Sequence, residues 1–224
     1  MHPKLKNMVK YSFLILLTTI LLFSNCKKDT KVYTISGNIS NKQTGENING
    51  VKVSLAAKMI KDGVYNPSFI NLKDAYTDNN GNYSMEINEA QVSDYRFQIY
   101  KETYFDYEET VKVDDLQSSS TFTKNFTIVK ESWIELKVKN TTPHDNDDKI
   151  VYRFTNIDVT GNQCCSNQTN TGIGAEYNES HTCKVQSNDW IYLKWTVVKN
   201  GGQHVYEDSL FTEPGQTTIY SLNY

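Results

Sequence analysis

The sequence predicts an all-β protein, two consecutive β-sandwich domains behind a short apolar amino-terminal segment. Three observations lead there. Apolar and polar residues alternate in short runs along most of the chain, the period-2 mark of half-buried strands. Fifteen Tyr and many Thr, Val and Ile stand against only 4 Pro and 11 Gly in 224 residues, which suits pleated strands and not a disordered chain. No amphipathic helical pattern runs longer than two turns.

The amino terminus sets the location. Lys4, Lys6 and Lys10 precede the apolar residues 11–23, and Ser24-Asn25-Cys26-Lys27-Lys28-Asp29 follows. A basic start, an apolar stretch and small or polar residues before a cysteine form a secretory signal. As a helix, residues 13–23 would span only ~17 Å against a hydrocarbon layer of ~30 Å, too short for a permanent span. Leu22-Phe23-Ser24-Asn25-Cys26 resembles the relaxed lipobox of Gram-negative bacterial lipoproteins, with Asn25 where Gly, Ala or Ser is usual. The resemblance implies that residues 1–25 are a signal peptide and that Cys26 becomes an acylated (palmitate-type) first residue. It implies attachment to the outer membrane of the cell envelope, with the periplasmic and surface-facing sides both open. Residues 26–30 make a short lipidated tether. Two or three acyl chains hold well where one holds weakly, since each buried methylene contributes ~0.8 kcal/mol.

Losing Lys4, Lys6 and Lys10 and no acid moves the formal charge from −3 to −6 over the 199 remaining residues. A mildly acidic mature chain has no electrostatic reason to bind nucleic acid or anionic lipid.

Within residues 31–130, strand-like runs fall at 32–40, 51–59, 82–87, 95–100, 110–113 and 122–129. Val51, Val53 and Leu55 share one face, as do Tyr83, Met85 and Ile87, and Tyr95, Phe97 and Ile99. Thr44-Gly45-Glu46-Asn47 and Asp78-Asn79-Asn80-Gly81 carry turn chemistry. Ile35-Ser36-Gly37-Asn38-Ile39, Thr44-Gly45, Ile48-Asn49-Gly50-Val51-Lys52-Val53, Thr77-Asp78-Asn79-Asn80-Gly81-Asn82-Tyr83 and Tyr95-Arg96-Phe97-Gln98-Ile99 resemble the carboxypeptidase-regulatory-like domain. That family implies a transthyretin-like β-sandwich and a non-catalytic module. Two departures stand out: an insertion at 61–73 lengthens one connection, and Thr103-Tyr104-Phe105 replaces the family's Gly-Tyr.

Residues 131–224 form the second domain, entered with no flexible linker, so the two domains are expected in fixed contact. Ile134, Leu136 and Val138 alternate with polar residues, and so do Ile150, Tyr152 and Phe154. Ile191, Leu193, Trp195 and Val197 form a third apolar phase. This pattern predicts an immunoglobulin-like sandwich.

Candidate sites are few. In an oxidising envelope Cys183 is expected to pair with Cys164 or Cys165, closing a ~20-residue loop and adding ~3 kcal/mol, which leaves one thiol over. A metal site of Cys164, Cys165, Cys183 and His181 is the weaker reading, because adjacent cysteines splay to opposite faces of an extended chain. His204 and Glu207 have a His-x-x-Glu spacing, yet residues three apart on a strand point oppositely. Pro143-His144-Asp145-Asn146-Asp147-Asp148 reads as a solvated acidic turn; as a calcium loop it lacks the central glycine and the distal glutamate. Trp133, Trp190 and Tyr192 fall on the outward phase of their strands and are the candidate ligand-binding residues.

Catalysis finds little support: there is no Gly-x-Ser-x-Gly and no phosphate-binding loop, and the mature histidines are His144, His181 and His204. The expectation is a non-enzymatic binding or scaffold lipoprotein without cofactor or catalytic metal. Its partners are the membrane, through Cys26, and an envelope protein. The alternative is a surface glycan-binding lipoprotein for nutrient capture.

Overall fold

The computed structural model describes residues 30–61, 63–157 and 167–224. Cys26 and the segment before it, and Cys164 and Cys165, lie outside the described residues. Among those described, no helix is long and apolar enough to cross a membrane.

In the first half the order is β1 (Val32–Asn41), β2 (Lys52–Lys61), β3 (Val64–Tyr76), β4 (Asn82–Asn88), β5 (Val92–Tyr100) and β6 (Tyr107–Lys112). A five-residue helix α1 (Val113–Gln117) and the short strands β7 (Thr121–Thr123) and β8 (Phe126–Ile128) follow. One sheet sets β1 beside antiparallel β4 and beside parallel β7 and β8; the other runs β3-β2-β5-β6, all antiparallel. Alternation decides how they face. Tyr33, Ile35, Ile39, Tyr83, Met85 and Ile87 from the first sheet share one interior with Val53, Leu55, Tyr95, Phe97 and Ile99 from the second. Leu116 of α1 and Phe126 of β8 complete this core, and each such large side chain contributes ~1.5–3 kcal/mol by leaving water.

The second half holds β9 (Glu131–Lys139), β10 (Lys149–Phe154), β11 (Asn170–Ile173) and β12 (Asn178–Gln186). It ends with β13 (Asp189–Lys199), β14 (Gly202–Thr212) and β15 (Thr217–Asn223). The sheets are β11-β10-β13-β14 and β12-β9-β15, the last strand running parallel to β9. Four strands over three is the layering of an immunoglobulin constant-type sandwich. Ile134, Leu136, Val138, Val185 and Leu222 pack against Ile150, Tyr152, Phe154, Ile191, Leu193 and Leu210.

The two cores share no residue, and backbone bonds knit the junction between them. Phe105 N–H donates to the Val129 carbonyl (2.9 Å) and Glu131 N–H to the Thr103 carbonyl (2.8 Å). From the other side, Ser187 N–H donates to the Lys130 carbonyl (2.9 Å), and Ser132 Oγ donates to the carbonyls of Glu213 and Gln216.

Residues 61–73, read as a lengthened connection, belong mostly to β3. No residue of this edge strand is fully buried, and only Leu72 and Ala75 lean on the core, so little writes an alternation into the sequence. Pro67 is tolerated there because one side of an edge strand needs no ladder donor. The run at 122–129 splits into β7 and β8 because Lys124 passes directly over Gly37, while the Asn125 side chain accepts Asn38 N–H at 2.9 Å. Strands β11, β12 and β15 also went unread, as did β14 apart from His204–Glu207, being exposed over much of their length.

A Cβ on Gly37 would lie 1.7 Å from the Lys124 carbonyl oxygen, and that oxygen also accepts the Tyr83 hydroxyl at 2.7 Å. Gly37→Ala is therefore expected to cost about 1–3 kcal/mol, visible as a melting temperature lower by several degrees in a thermal scan.

Candidate binding surface

The outward face of β13 carries the aromatic residues singled out in the sequence. Trp190 and Tyr192 are each 51% exposed and two residues apart, so they project from the same side. The register sets Trp190 opposite Phe211 and Tyr192 opposite Ser209 of β14. The Trp190 and Phe211 rings meet edge-on, with centroids 5.5 Å apart and planes at 60°. Farther along this face Lys194 and Glu207 form an ion pair.

The backbone beneath these rings is held from both sides. On one side it ladders with β14 through the full length of the strand. On the other, β10 ends at Phe154 and the Asn156 amide takes over the pairing. It donates to the Trp190 carbonyl at 2.6 Å and accepts Tyr192 N–H at 2.8 Å. Two exposed rings thus stand on a fixed base, which lowers the ordering cost of any contact they make.

Trp133 does not join them. It lies on the outward phase of β9, in the facing sheet, so the sandwich core separates it from Trp190 and Tyr192. It is half-buried, with Lys184 Nζ 6.0 Å from its ring centre. Phe211 is the member of the cluster that sequence reasoning missed. Its end of the strand was unread, although Asn200-Gly201, with φ of 47° and 70°, is the turn signature that announces a hairpin partner for β13.

The inward phase of β14 carries a second set of rings. Trp195 stacks on Tyr206 at 5.5 Å and 19° and meets Tyr220 of β15 edge-on at 6.5 Å. The Tyr220 hydroxyl donates to Asp208 Oδ2 at 2.6 Å, tying two edge strands of opposite sheets. That bond holds the Asp208 carboxyl below its ordinary range. Burial, then the same bond, pushes the Tyr220 phenol up. The cluster is a seam of the sandwich with Tyr206 at its wet margin.

The remaining candidates scatter. His204 pairs in register with Val197 and Glu207 with Lys194, on opposite faces of β14, as strand geometry requires. His181 Nε2 lies 3.0 Å from the hydroxyl of Tyr152, a buried phenol whose pKa burial raises. Cys183 is 2% exposed and disulfide-bonded; Cys164 and Cys165 are outside the described residues. His144, Asp145 and Asp148 gather in the turn between β9 and β10.

No family model matches the chain, and no curated protein is similar to it in sequence. Solved structures give distant likenesses. A Streptococcal ancillary pilin is 12% identical, covering 88% of this chain and 64% of its own, with a TM-score of 0.32. The TIE protein of Bacillus anthracis is 10% identical over 86% of this chain and 34% of its own, with a TM-score of 0.36. Chlorocatechol 1,2-dioxygenase from Pseudomonas putida is 14% identical over 46% of this chain and 62% of its own, with a TM-score of 0.33. The chain spans less than two thirds of each of these structures, and likenesses so distant carry no functional argument.

Because Asp208 titrates below its unfolded value, the Tyr220–Asp208 bond contributes fully above the ordinary carboxylate range. The contribution fades as pH falls through the lowered native value. Tyr220→Phe is expected to cost less than ~1 kcal/mol at neutral pH and progressively less as pH falls below the ordinary carboxylate range. Urea unfolding across that pH range checks this.

Proposed function

We propose that this protein is a cell-envelope lipoprotein, anchored through acylated Cys26, that acts as a non-enzymatic binding or scaffold module. The observation that carries the reading is the exposed Trp190–Phe211–Tyr192 cluster on its doubly held strand. Aromatic side chains on a rigid base are the usual anchors of protein recognition, and they bury large area at small entropy cost. The outward face of the second sandwich is the recognition surface. The first sandwich, a carboxypeptidase-regulatory-like module in this reading, is the spacer between it and the lipid. The lipobox-like residues before Cys26 and the mildly acidic mature charge support attachment by acyl chains and not by basic residues.

A glycan is the second reading. Trp190 and Tyr192 stand ~7 Å apart along one strand, so their rings offer consecutive stacking steps to an extended chain of sugars.

Cys26→Ser is expected to move the protein from the detergent-extracted membrane fraction to the soluble envelope fraction. Mass spectrometry of the wild-type amino-terminal peptide should show acyl chains on Cys26, and an unmodified peptide beginning at Met1 would overturn the anchor. Crosslinking from position 192 in intact cells is expected to capture an envelope protein, with capture reduced at least ~30-fold by Trp190→Ala, the size of a hot-spot loss. Glycan-array binding abolished by Trp190→Ala selects the second reading, and failure of both tests would remove this face as the recognition surface.

A further inference from the structure

The turn between β9 and β10 carries a feature independent of the aromatic face. His144, Asp145 and Asp148 each bring one donor atom to within 4.8 Å of the others. Asp148 is the fixed member, with its side chain fully buried. Its Oδ2 accepts Asn140 Nδ2 at 2.9 Å and His144 N–H at 2.8 Å. Lys199 Nζ lies 3.8 Å from that same oxygen and is itself held by Asn140 Oδ1 (2.7 Å) and the Thr142 carbonyl (2.9 Å). Oδ1, the other carboxylate oxygen, is buried and has no hydrogen-bond partner. A buried carboxylate oxygen without a hydrogen bond costs free energy that a bound cation would offset.

We propose that His144, Asp145 and Asp148 form a site for a borderline divalent transition cation, of which Zn²⁺ is the representative. One imidazole and two carboxylates suit such an ion, whereas calcium takes six to eight oxygens and has no use for the imidazole. Bonds of ~2.0–2.2 Å put tetrahedral ligand atoms ~3.3–3.5 Å apart. His144 Nδ1 and Asp145 Oδ2 already lie 2.9 Å apart around a shared proton, which the cation would replace. The side chains of His144 and Asp145 are 48% and 49% exposed, so both are free to adjust onto the fixed Asp148 oxygen. Water completes the coordination from the open side. The turn itself is braced for this by Asp147 N–H on Asp145 Oδ1 (2.9 Å) and by Gly174 N–H on the Asp148 carbonyl (2.8 Å). Bound there, the ion clamps the β9–β10 turn; no reaction is implied.

Calorimetric titration of the EDTA-treated full-length protein with Zn²⁺ tests the site. Uptake is expected that His144→Ala and Asp145→Asn each weaken at least ~10-fold and that His204→Ala, in β14, leaves unchanged. The exposure of His144 and Asp145 keeps the fold intact in these variants, which far-ultraviolet circular dichroism verifies. A Zn²⁺-dependent rise in melting temperature should vanish in the same two variants. No uptake, uptake indifferent to both substitutions, or equally strong uptake of Ca²⁺ would overturn the proposal.

Discussion

A sheet with one apolar face cannot stand alone in water, and this requirement governs the whole chain from Val32 onward. Ile134, Leu136 and Val138 project from one side of β9, and only a second sheet presenting Ile150, Ile191 and Leu193 removes both sets from solvent. The same demand closes the first pair of sheets around Leu55, Phe97 and Ile35. Each sandwich therefore keeps two wet faces. Whatever the protein recognises must meet residues of those faces, of their edges or of the turns between strands.

Residues 129–132 are hydrogen-bonded to both sandwiches. The backbone there bonds in turn to Phe105, Thr103 and Ser187, and the Ser132 hydroxyl reaches Glu213 and Gln216. A chain with its donors and acceptors committed in both directions has little freedom to swing. Strand β9 leaves this junction to become the centre of its sheet, between β12 and β15. The geometry of the second sandwich is thus set at the point where it meets the first.

Strand β14 shows how one strand serves two purposes. Its inward residues, Tyr206, Asp208 and Leu210, close the seam against β15 and the core. Its outward residue Phe211 completes the aromatic patch beside Trp190. Period-2 alternation separates the two roles without compromise, which no helix of similar length would allow.

The sequence by itself determined the strands that have a dry face. Tyr83, Met85 and Ile87, or Ile134, Leu136 and Val138, alternate because burial on one side selects them, and all six are buried. It also determined the outward phase of Trp190 and Tyr192 and the opposed phases of His204 and Glu207. What it left largely unwritten were edges such as β3 and most of β14, where few residues are buried and so little selects a pattern. Only the tertiary structure decided which outward residues are neighbours. Phe211 joins Trp190 through a register set by the Asn200-Gly201 turn, Trp133 falls on the far sheet, and Asp148 becomes buried with one oxygen unpaired. These are consequences of pairing and closure, which bring together residues far apart in the chain and so leave no local trace in it.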